Sequence, residues 1–274
     1  MPAVKVGDIN MYHEVQGEGD PIVLIPGLGG ACYLFFRQTP CLAEEYRVIA
    51  IDSRGSGLSD KPDIPYSVEM MADDVARLLD VLGINRAHIL GYSLGGSIAQ
   101  HLSLRHHDKV ASLILIGSLC GGRHSVPPDL EAIGRCFDMR RRAELPPEER
   151  VRADLPLFFT QQFIDSSPEI VEQWVAMAVR NVPPHHSFIR QLEAGIMHDS
   201  YDRLHEIKAP TLVISASDDK WVHPDNSRIL AKRIPNAELV VMENMRHGLA
   251  IEAADDLNKA ILGFLRRHPI KQVS

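Results

Sequence analysis

The chain has 274 residues, 45% of them hydrophobic and 24% charged, a composition typical of a globular protein that buries one large core. Its formal net charge of −7 offers no basic surface for a phosphate backbone, so we expect a small-molecule substrate and no nucleic-acid partner. No apolar run is long enough for a membrane span and the first residues lack a secretion signal, which predicts a cytoplasmic protein without membrane contact. A homo-oligomer is compatible with this composition.

Apolar runs alternate with helical patterns along the chain, as in βαβ units. The predicted strands cover residues 4–6, 9–15, 22–26, 47–55, 88–93, 111–118, 211–217 and 238–243. The predicted helices between and after them cover residues 67–83, 94–107, 224–234 and 252–268. This order predicts an α/β fold with a mostly parallel eight-stranded sheet flanked by helices.

Residues 119–209 interrupt this alternation, because they contain many prolines and helical patterns but no strand-like apolar run. A structureless loop of that length is improbable inside a compact domain. We therefore expect an inserted helical cap, or lid, at 119–209 over one end of the sheet. The core domain would then comprise residues 1–118 and 210–274.

The sequence GYSLG at residues 91–95 fits the G-x-S-x-G pattern, and it lies between a predicted buried strand and a predicted helix. In such a strand-to-helix elbow, the serine takes a strained backbone conformation that exposes its hydroxyl above the sheet. Ser93 is therefore the predicted nucleophile. The alternative is a chance glycine-serine turn.

A serine hydroxyl is a weak nucleophile near neutral pH, so a base and a group that orients the base are also required. His247 follows the last predicted strand and is the predicted base, whereas the other histidines are better explained as solvated or helix-end residues. Two acids, Asp218 and Asp219, follow the preceding strand, and either one could orient the imidazole. Loops at the carboxyl ends of parallel strands meet at one edge of a sheet, which would bring these side chains to Ser93.

The oxyanion that forms during acyl transfer needs fixed hydrogen-bond donors. The glycine-rich loop PGLGG at residues 26–30 follows a predicted strand, and we assign the donors to the backbone N–H groups of Leu28 and Leu94. A phosphate-binding loop is the alternative, but neither of the usual glycine patterns for phosphate is present there.

These motifs, together with DSRGSGLS at residues 52–59, resemble the α/β-hydrolase superfamily over almost the whole chain outside the insertion. The resemblance implies a supporting role for 52–59, and it implies Asp219 as the acid because DKWVHP at 219–224 is similar to the family's D-x-x-V-x-P run. Pro26 replaces the histidine of the usual H-G-x-x-G loop. The PGLGG loop looks like that of the branch with enol-lactonases, haloperoxidase-like esterases and aminoacrylate hydrolases.

The predicted reaction is hydrolysis of a carboxylic ester or lactone through an acyl-enzyme, which requires no cofactor and no metal. Haloalkane dehalogenases and epoxide hydrolases of this fold are excluded, because they use a carboxylate nucleophile. The alternatives are C–C bond hydrolysis or amide or carbamate hydrolysis on the same triad, and a non-catalytic ligand-binding member. C–C bond hydrolases commonly have Asn before the serine, where Tyr92 stands here.

For substrate contacts, the sequence suggests Arg190, Trp221 and Cys120. Arginines of the insertion could pair with a substrate carboxylate, although arginines on polar helix faces are mostly solvated. They are Arg123, Arg135, Arg140, Arg141, Arg142 and Arg190. The four cysteines lack C-x-x-C spacing, and we expect free thiols.

Overall fold

The computed structural model describes residues 3–137 and 144–270, with the side chains of 136 and 137 excepted. Eight strands form one sheet: β1 (Ala3–Val6), β2 (Ile9–Gln16), β3 (Pro21–Ile25), β4 (Arg47–Ile51), β5 (Ala87–Tyr92), β6 (Val110–Ile116), β7 (Thr211–Ala216) and β8 (Glu238–Met242). Their order in the sheet is β1-β2-β4-β3-β5-β6-β7-β8; β1 with β2 and β2 with β4 pair antiparallel, and all other neighbours pair parallel. This confirms the predicted fold class.

Helices cover both faces of the sheet and also fill the insertion. Among the described residues they are α1 (Thr39–Leu42), α2 (Val68–Val81), α3 (Leu94–Arg105), α4 (Leu130–Phe137), α5 (Pro147–Phe158), α6 (Gln161–Ser166), α7 (Pro168–Arg180), α8 (His185–Met197), α9 (Pro224–Arg233), α10 (Leu249–Glu252) and α11 (Ala254–Arg267). The predicted start of α2 is confirmed, because the Ser67 side chain accepts a hydrogen bond from the N–H of Met70. Within the described chain, no helix is long and apolar enough to cross a membrane.

The central strands are apolar at nearly every position because both of their faces are covered. In β3, Val23 and Ile25 point into the apolar cluster that includes α2 and α3, whereas Ile22 and Leu24 point into the cluster that includes α1 and α11. The sequence run at 22–26 could not assign these faces, since all of its residues are apolar.

The strand β4 is shorter than the sequence predicted. The strand predicted at 47–55 ends at Ile51, because the side chain of Asp52 accepts hydrogen bonds from the N–H groups of Cys32 and Leu58 and thereby holds a turn. Beyond that turn, the Arg54 guanidinium is 1% exposed and bonded to Asp74. The segment 52–59 is thus a packed loop next to the carboxyl end of β4.

The residues between β6 and β7 include five described helices, α4 to α8. They have an apolar cluster of their own that includes Phe159 and Trp174 and extends to Ile251 near the end of the chain. Phe158 contacts the core domain through its carbonyl, which accepts a hydrogen bond of 2.7 Å from the N–H of Gly248. The insertion therefore packs against the loop that follows β8.

Neighbouring strands bring the site loops together. Ile25 at the end of β3 is in register with Gly91 of β5, so the glycine-rich loop after β3 begins beside the G-x-S-x-G turn. The connections from these two strands run to opposite sides of the sheet, and the crevice between such connections is where α/β sheets bind ligands.

Candidate active site

Ser93 lies between β5 and α3 with φ 56° and ψ −119°, a conformation that non-glycine residues rarely adopt. Its N–H donates to the carbonyl of Ile116 at 2.8 Å, which fixes the turn over the end of β6. A Cβ at Gly91 would lie 2.3 Å from the Gly95 carbonyl oxygen, and one at Gly95 would lie 2.1 Å from the Ile25 oxygen. Both glycines of the motif are therefore required by close backbone approach.

His247 follows β8, and its Nδ1 lies 2.7 Å from Oδ2 of Asp219, which follows β7. The other carboxylate oxygen of Asp219 accepts hydrogen bonds of 2.9 Å from the N–H groups of Trp221 and Val222. Both members of the His–Asp pair are 5% exposed. Asp218 is exposed and pairs with the hydroxyl of Ser217, so only Asp219 contacts the imidazole.

The His–Asp pair and Ser93 flank the same strand end. A Cβ built at Gly117, directly after β6, would lie 3.5 Å from both His247 Nδ1 and Asp219 Oδ2. Ser93 is bonded to the preceding residue, Ile116. Within the described residues the Ser93 hydroxyl makes no hydrogen bond, which leaves it available to the imidazole or to a substrate.

Tyr92 connects the elbow to the base, a role that the sequence gave no reason to assign. Its ring contacts the His247 ring edge-on at 5.5 Å between centroids, and its hydroxyl donates to the His247 carbonyl. Burial raises the pKa of the Tyr92 hydroxyl, which therefore remains a proton donor at neutral pH. The two contacts restrict the backbone and the ring of the same histidine.

The two predicted oxyanion donors also lie beside the nucleophile. A Cβ at Gly27 would lie 3.0 Å from the Cβ of Ser93, so the glycine-rich loop passes directly next to it. Neither the Leu28 N–H nor the Leu94 N–H donates to another described residue. Leu94 opens α3, whose N-terminal partial positive charge favours an oxyanion at this position.

Aromatic side chains adjoin the base on the side of the insertion. The Phe158 ring lies 5.8 Å from the His247 ring and 6.3 Å from the Trp221 ring. The indole N–H of Trp221 is buried and has no hydrogen-bond partner among the described residues. The structure thus places Trp221 beside Phe158, whose ring lies against the His247 ring.

The other two suggested substrate contacts have hydrogen-bond partners outside the triad. Arg190 pairs with Asp63 at 3.2 Å and with Glu193 at 3.0 Å. Cys120 is buried, its sulfur is 3.5 Å from the Ser125 hydroxyl, and burial raises the pKa of its thiol. Arg140, Arg141 and Arg142 lie outside the described residues. The described cysteines Cys32, Cys41 and Cys120 are free thiols.

A surface cavity of about 370 Å³ lies elsewhere, between β2, the segment at 31–40 and the end of α7. Tyr12, Glu14, Tyr33 and Met177 are among its lining residues, and none of the three triad residues is. Across residues 3–137 and 144–270, no group of three or more His, Cys, Asp or Glu side chains could hold a metal ion.

Comparisons with known proteins identify the family and the fold of the chain. Residues 20–254 match the family described as alpha/beta hydrolase fold. The chain is 32% identical over 266 residues to a protein of Azorhizobium caulinodans provisionally named carbamate hydrolase RutD, covering 96% of this chain and 98% of that one. The enol-lactonase from Burkholderia xenovorans LB400 has a TM-score of 0.86 at 28% identity, covering 97% of this chain and 100% of that one. A thermophilic esterase from Thermogutta terrifontis has a TM-score of 0.84 at 27% identity, covering 98% and 100%.

Proposed function

The chain is a hydrolase that belongs to the alpha/beta hydrolase fold family, and on this basis we propose that it cleaves a carboxylic ester or lactone with Ser93 as nucleophile, His247 as base and Asp219 as the orienting acid. The observation that carries the proposal is the 2.7 Å hydrogen bond from His247 to Asp219, next to a serine at φ 56°. The bond to Nδ1 keeps the proton there, so that Nε2 is free to accept the proton of the serine hydroxyl.

In the first half of the reaction, the Ser93 oxygen attacks the substrate carbonyl carbon while His247 Nε2 takes the hydroxyl proton. The carbonyl electron pair moves to oxygen, and the N–H groups of Leu28 and Leu94 stabilise that oxyanion. The bond to the leaving alcohol then breaks as the imidazolium returns the proton to the alcohol oxygen. An acyl-enzyme on Ser93 remains.

In the second half, water attacks the acyl carbon and gives a proton to His247, and the Ser93 oxygen leaves with that proton. The products are the carboxylic acid and regenerated enzyme. With a lactone, the alcohol and the acid are one molecule, so the product stays as a single hydroxy acid. Both halves use only the chain's own residues and water.

Hydrolysis of a carbamate is the second candidate, and the similarity over 96% of the chain to a protein provisionally named carbamate hydrolase favours it. The same residues would perform it. A carbamoyl-enzyme is deacylated more slowly than an ordinary acyl-enzyme, because its nitrogen lone pair delocalises into the carbonyl and makes the carbon less electrophilic. Carbamate turnover would therefore begin with a burst of the first product.

We further propose that the insertion at 119–209 acts as a cap that sets substrate specificity. Phe158 carries this proposal, since it comes from the insertion and lies against the His247 ring. Loops and insertions around a rigid scaffold are where specificity usually resides.

The test is a panel of aryl and alkyl esters of increasing acyl length, several lactones and a set of N-unsubstituted carbamates, each assayed with wild-type protein and Ser93→Ala. We expect kcat/KM for esters or lactones to exceed that for carbamates of matched leaving group. The reverse order, with a burst for carbamates, would favour the second candidate. Activity that persists in Ser93→Ala would contradict both.

A further inference from the structure

One helix of the insertion packs against the oxyanion loop and against the side chain of Leu94. A Cβ at Gly29, one residue after Leu28, would lie 3.1 Å from the ring of Phe188, and a Cβ at Gly195 would lie 3.2 Å from Cδ1 of Leu94. Phe188 and Gly195 both belong to α8, and their spacing of seven residues places them on the same side of the helix. Gln191 lies between them on that side, where an apolar residue would be expected.

Gln191 is 1% exposed, and all of its side-chain hydrogen bonds go to loops of the core domain. Its Oε1 accepts from the N–H of Gly29 at 2.8 Å. Its Nε2 donates to the carbonyl of Arg54 at 2.7 Å and to the hydroxyl of Ser56 at 2.8 Å. The orientation of the amide is unambiguous, because a backbone N–H can only donate and a backbone carbonyl can only accept.

This amide joins the oxyanion loop to the loop at 52–59. The loop at 52–59 is held in turn by the buried guanidinium of Arg54 on Asp74, at 2.8 Å, so it is a fixed point of attachment. Gly29 has φ +68°, a conformation that glycine adopts at no steric cost, and it lies in a turn that the Gly30 N–H closes on the Gly27 carbonyl at 3.0 Å. The Gln191 contact is the side-chain hydrogen bond that restrains the N–H of this residue.

We propose that Gln191 is a positioning residue of the oxyanion hole, supplied by the insertion, which holds the Leu28 N–H in its catalytic direction through Gly29. The inference rests on the proposed function and deepens it, because it makes the docking of α8 a condition for transition-state stabilisation. Oxyanion donors act only when fixed at about 2.7–3.1 Å from the developing charge, so a loosened loop should affect kcat more than substrate binding.

The experiment compares Gln191→Met and Gln191→Glu with wild type, and uses Glu193→Gln as the control, an exposed position on the same helix. Active sites are counted with a fluorophosphonate, and kcat is expressed per reactive Ser93. We expect Gln191→Met to lower kcat about 10- to 100-fold with KM within about threefold. Affinity for a trifluoromethyl ketone, which binds as an oxyanion, should fall in proportion to kcat. Glu193→Gln should match wild type in both measurements.

Gln191→Glu supplies an independent readout if the Met variant does not fold. A carboxylate can still accept from Gly29 but cannot donate to the Arg54 carbonyl, whereas a protonated carboxyl can do both. We therefore expect the kcat of this variant, divided by that of wild type at each pH, to rise as the pH is lowered. A merely structural residue would change the melting temperature and leave this ratio flat.

The inference is overturned if kcat per reactive serine in Gln191→Met stays within about twofold of wild type, or if the Glu variant shows a pH-independent ratio. A wild-type protein that neither reacts with the fluorophosphonate nor hydrolyses any substrate of the panel would instead overturn the proposed function itself. The two failures are therefore distinguishable.

Discussion

The substitution Asp219→Asn tests the chemistry of the site most directly, because the structure fixes the orientation of the new amide. Two backbone N–H groups, from Trp221 and Val222, point at Oδ1. The asparagine must place its carbonyl oxygen there, so its NH₂ group faces His247 Nδ1 across the 2.7 Å contact. Nδ1 must then accept a hydrogen bond, and the ring proton moves to Nε2.

An imidazole with its proton on Nε2 cannot accept the Ser93 proton. The loss of this tautomer costs on the order of 10⁴ in kcat in serine hydrolases, equivalent to about 5.5 kcal/mol of transition-state stabilisation. We expect a similar loss here, because the pair is 5% exposed and little water can reach the imidazole to replace the lost contact. KM should stay nearly unchanged, because the base acts in the transition state rather than in substrate binding.

The assay is the initial rate of ester hydrolysis near pH 7, with active-site titration to correct for inactive protein. Asp218→Asn is the matched control, since the neighbouring acid is exposed and contacts Ser217 rather than the imidazole. We expect that variant to remain within about twofold of wild type. A larger loss at Asp218, or less than about a tenfold loss at Asp219, would refute the assigned tautomer and the role of Asp219.

Three further outcomes are expected. Ser93→Ala should lower kcat by about 10³-fold or more without changing the far-ultraviolet circular dichroism spectrum. Retention of about a tenth of the wild-type activity would contradict the assignment of Ser93 as the nucleophile. Gly195→Val should reduce kcat/KM for long acyl chains far more than for acetyl esters, because its side chain would enter the space beside Leu94; equal losses across the series would contradict this. Hydrogen bonds from Arg54 lower the pKa of Asp8 from 3.8 to about 2, so the carboxylate stabilises the fold above about pH 4 and ceases to do so as the pH falls through 2. The difference in the free energy of unfolding between wild type and Asp8→Asn, measured in urea from pH 5 to 2, should therefore shrink as the pH falls. A difference that stays constant would contradict a stabilising role of the Asp8 carboxylate.

The sequence was sufficient for most of the fold, because the physical signals that define it are local. Apolar runs of five to seven residues predicted the central strands, and Ser67 predicted the start of α2 through its capping hydroxyl. The predicted strand at 47–55 was too long, since its end is set by the contacts of Asp52 with distant backbone. A local pattern carries no information about such partners.

For the candidate site, the sequence indicated residues whose role is tied to a chain-local geometry. Ser93 belongs to a turn whose glycines are required because a Cβ at Gly91 or Gly95 would lie only 2.3 or 2.1 Å from a backbone oxygen, and that requirement leaves a fixed pattern in the chain. This pattern indicated the nucleophile without any knowledge of which strands are neighbours.

Gln191 and Tyr92 left no such pattern. Each acts on a loop distant in sequence, Gln191 on Gly29 and Tyr92 on His247, and only the packing of the insertion and the strand order bring these groups together. The one signal for Gln191 in the sequence was a polar residue on the apolar face of a helix, and that signal does not indicate which group the side chain contacts. The sequence by itself therefore determined the fold class, the candidate nucleophile and base, and a pair of candidate acids, because their constraints are local. The choice of Asp219 over Asp218 as the acid that contacts the imidazole came from the tertiary structure. The tertiary structure alone decided how the oxyanion loop and the imidazole are held, because hydrogen bonds between distant segments depend on three-dimensional proximity.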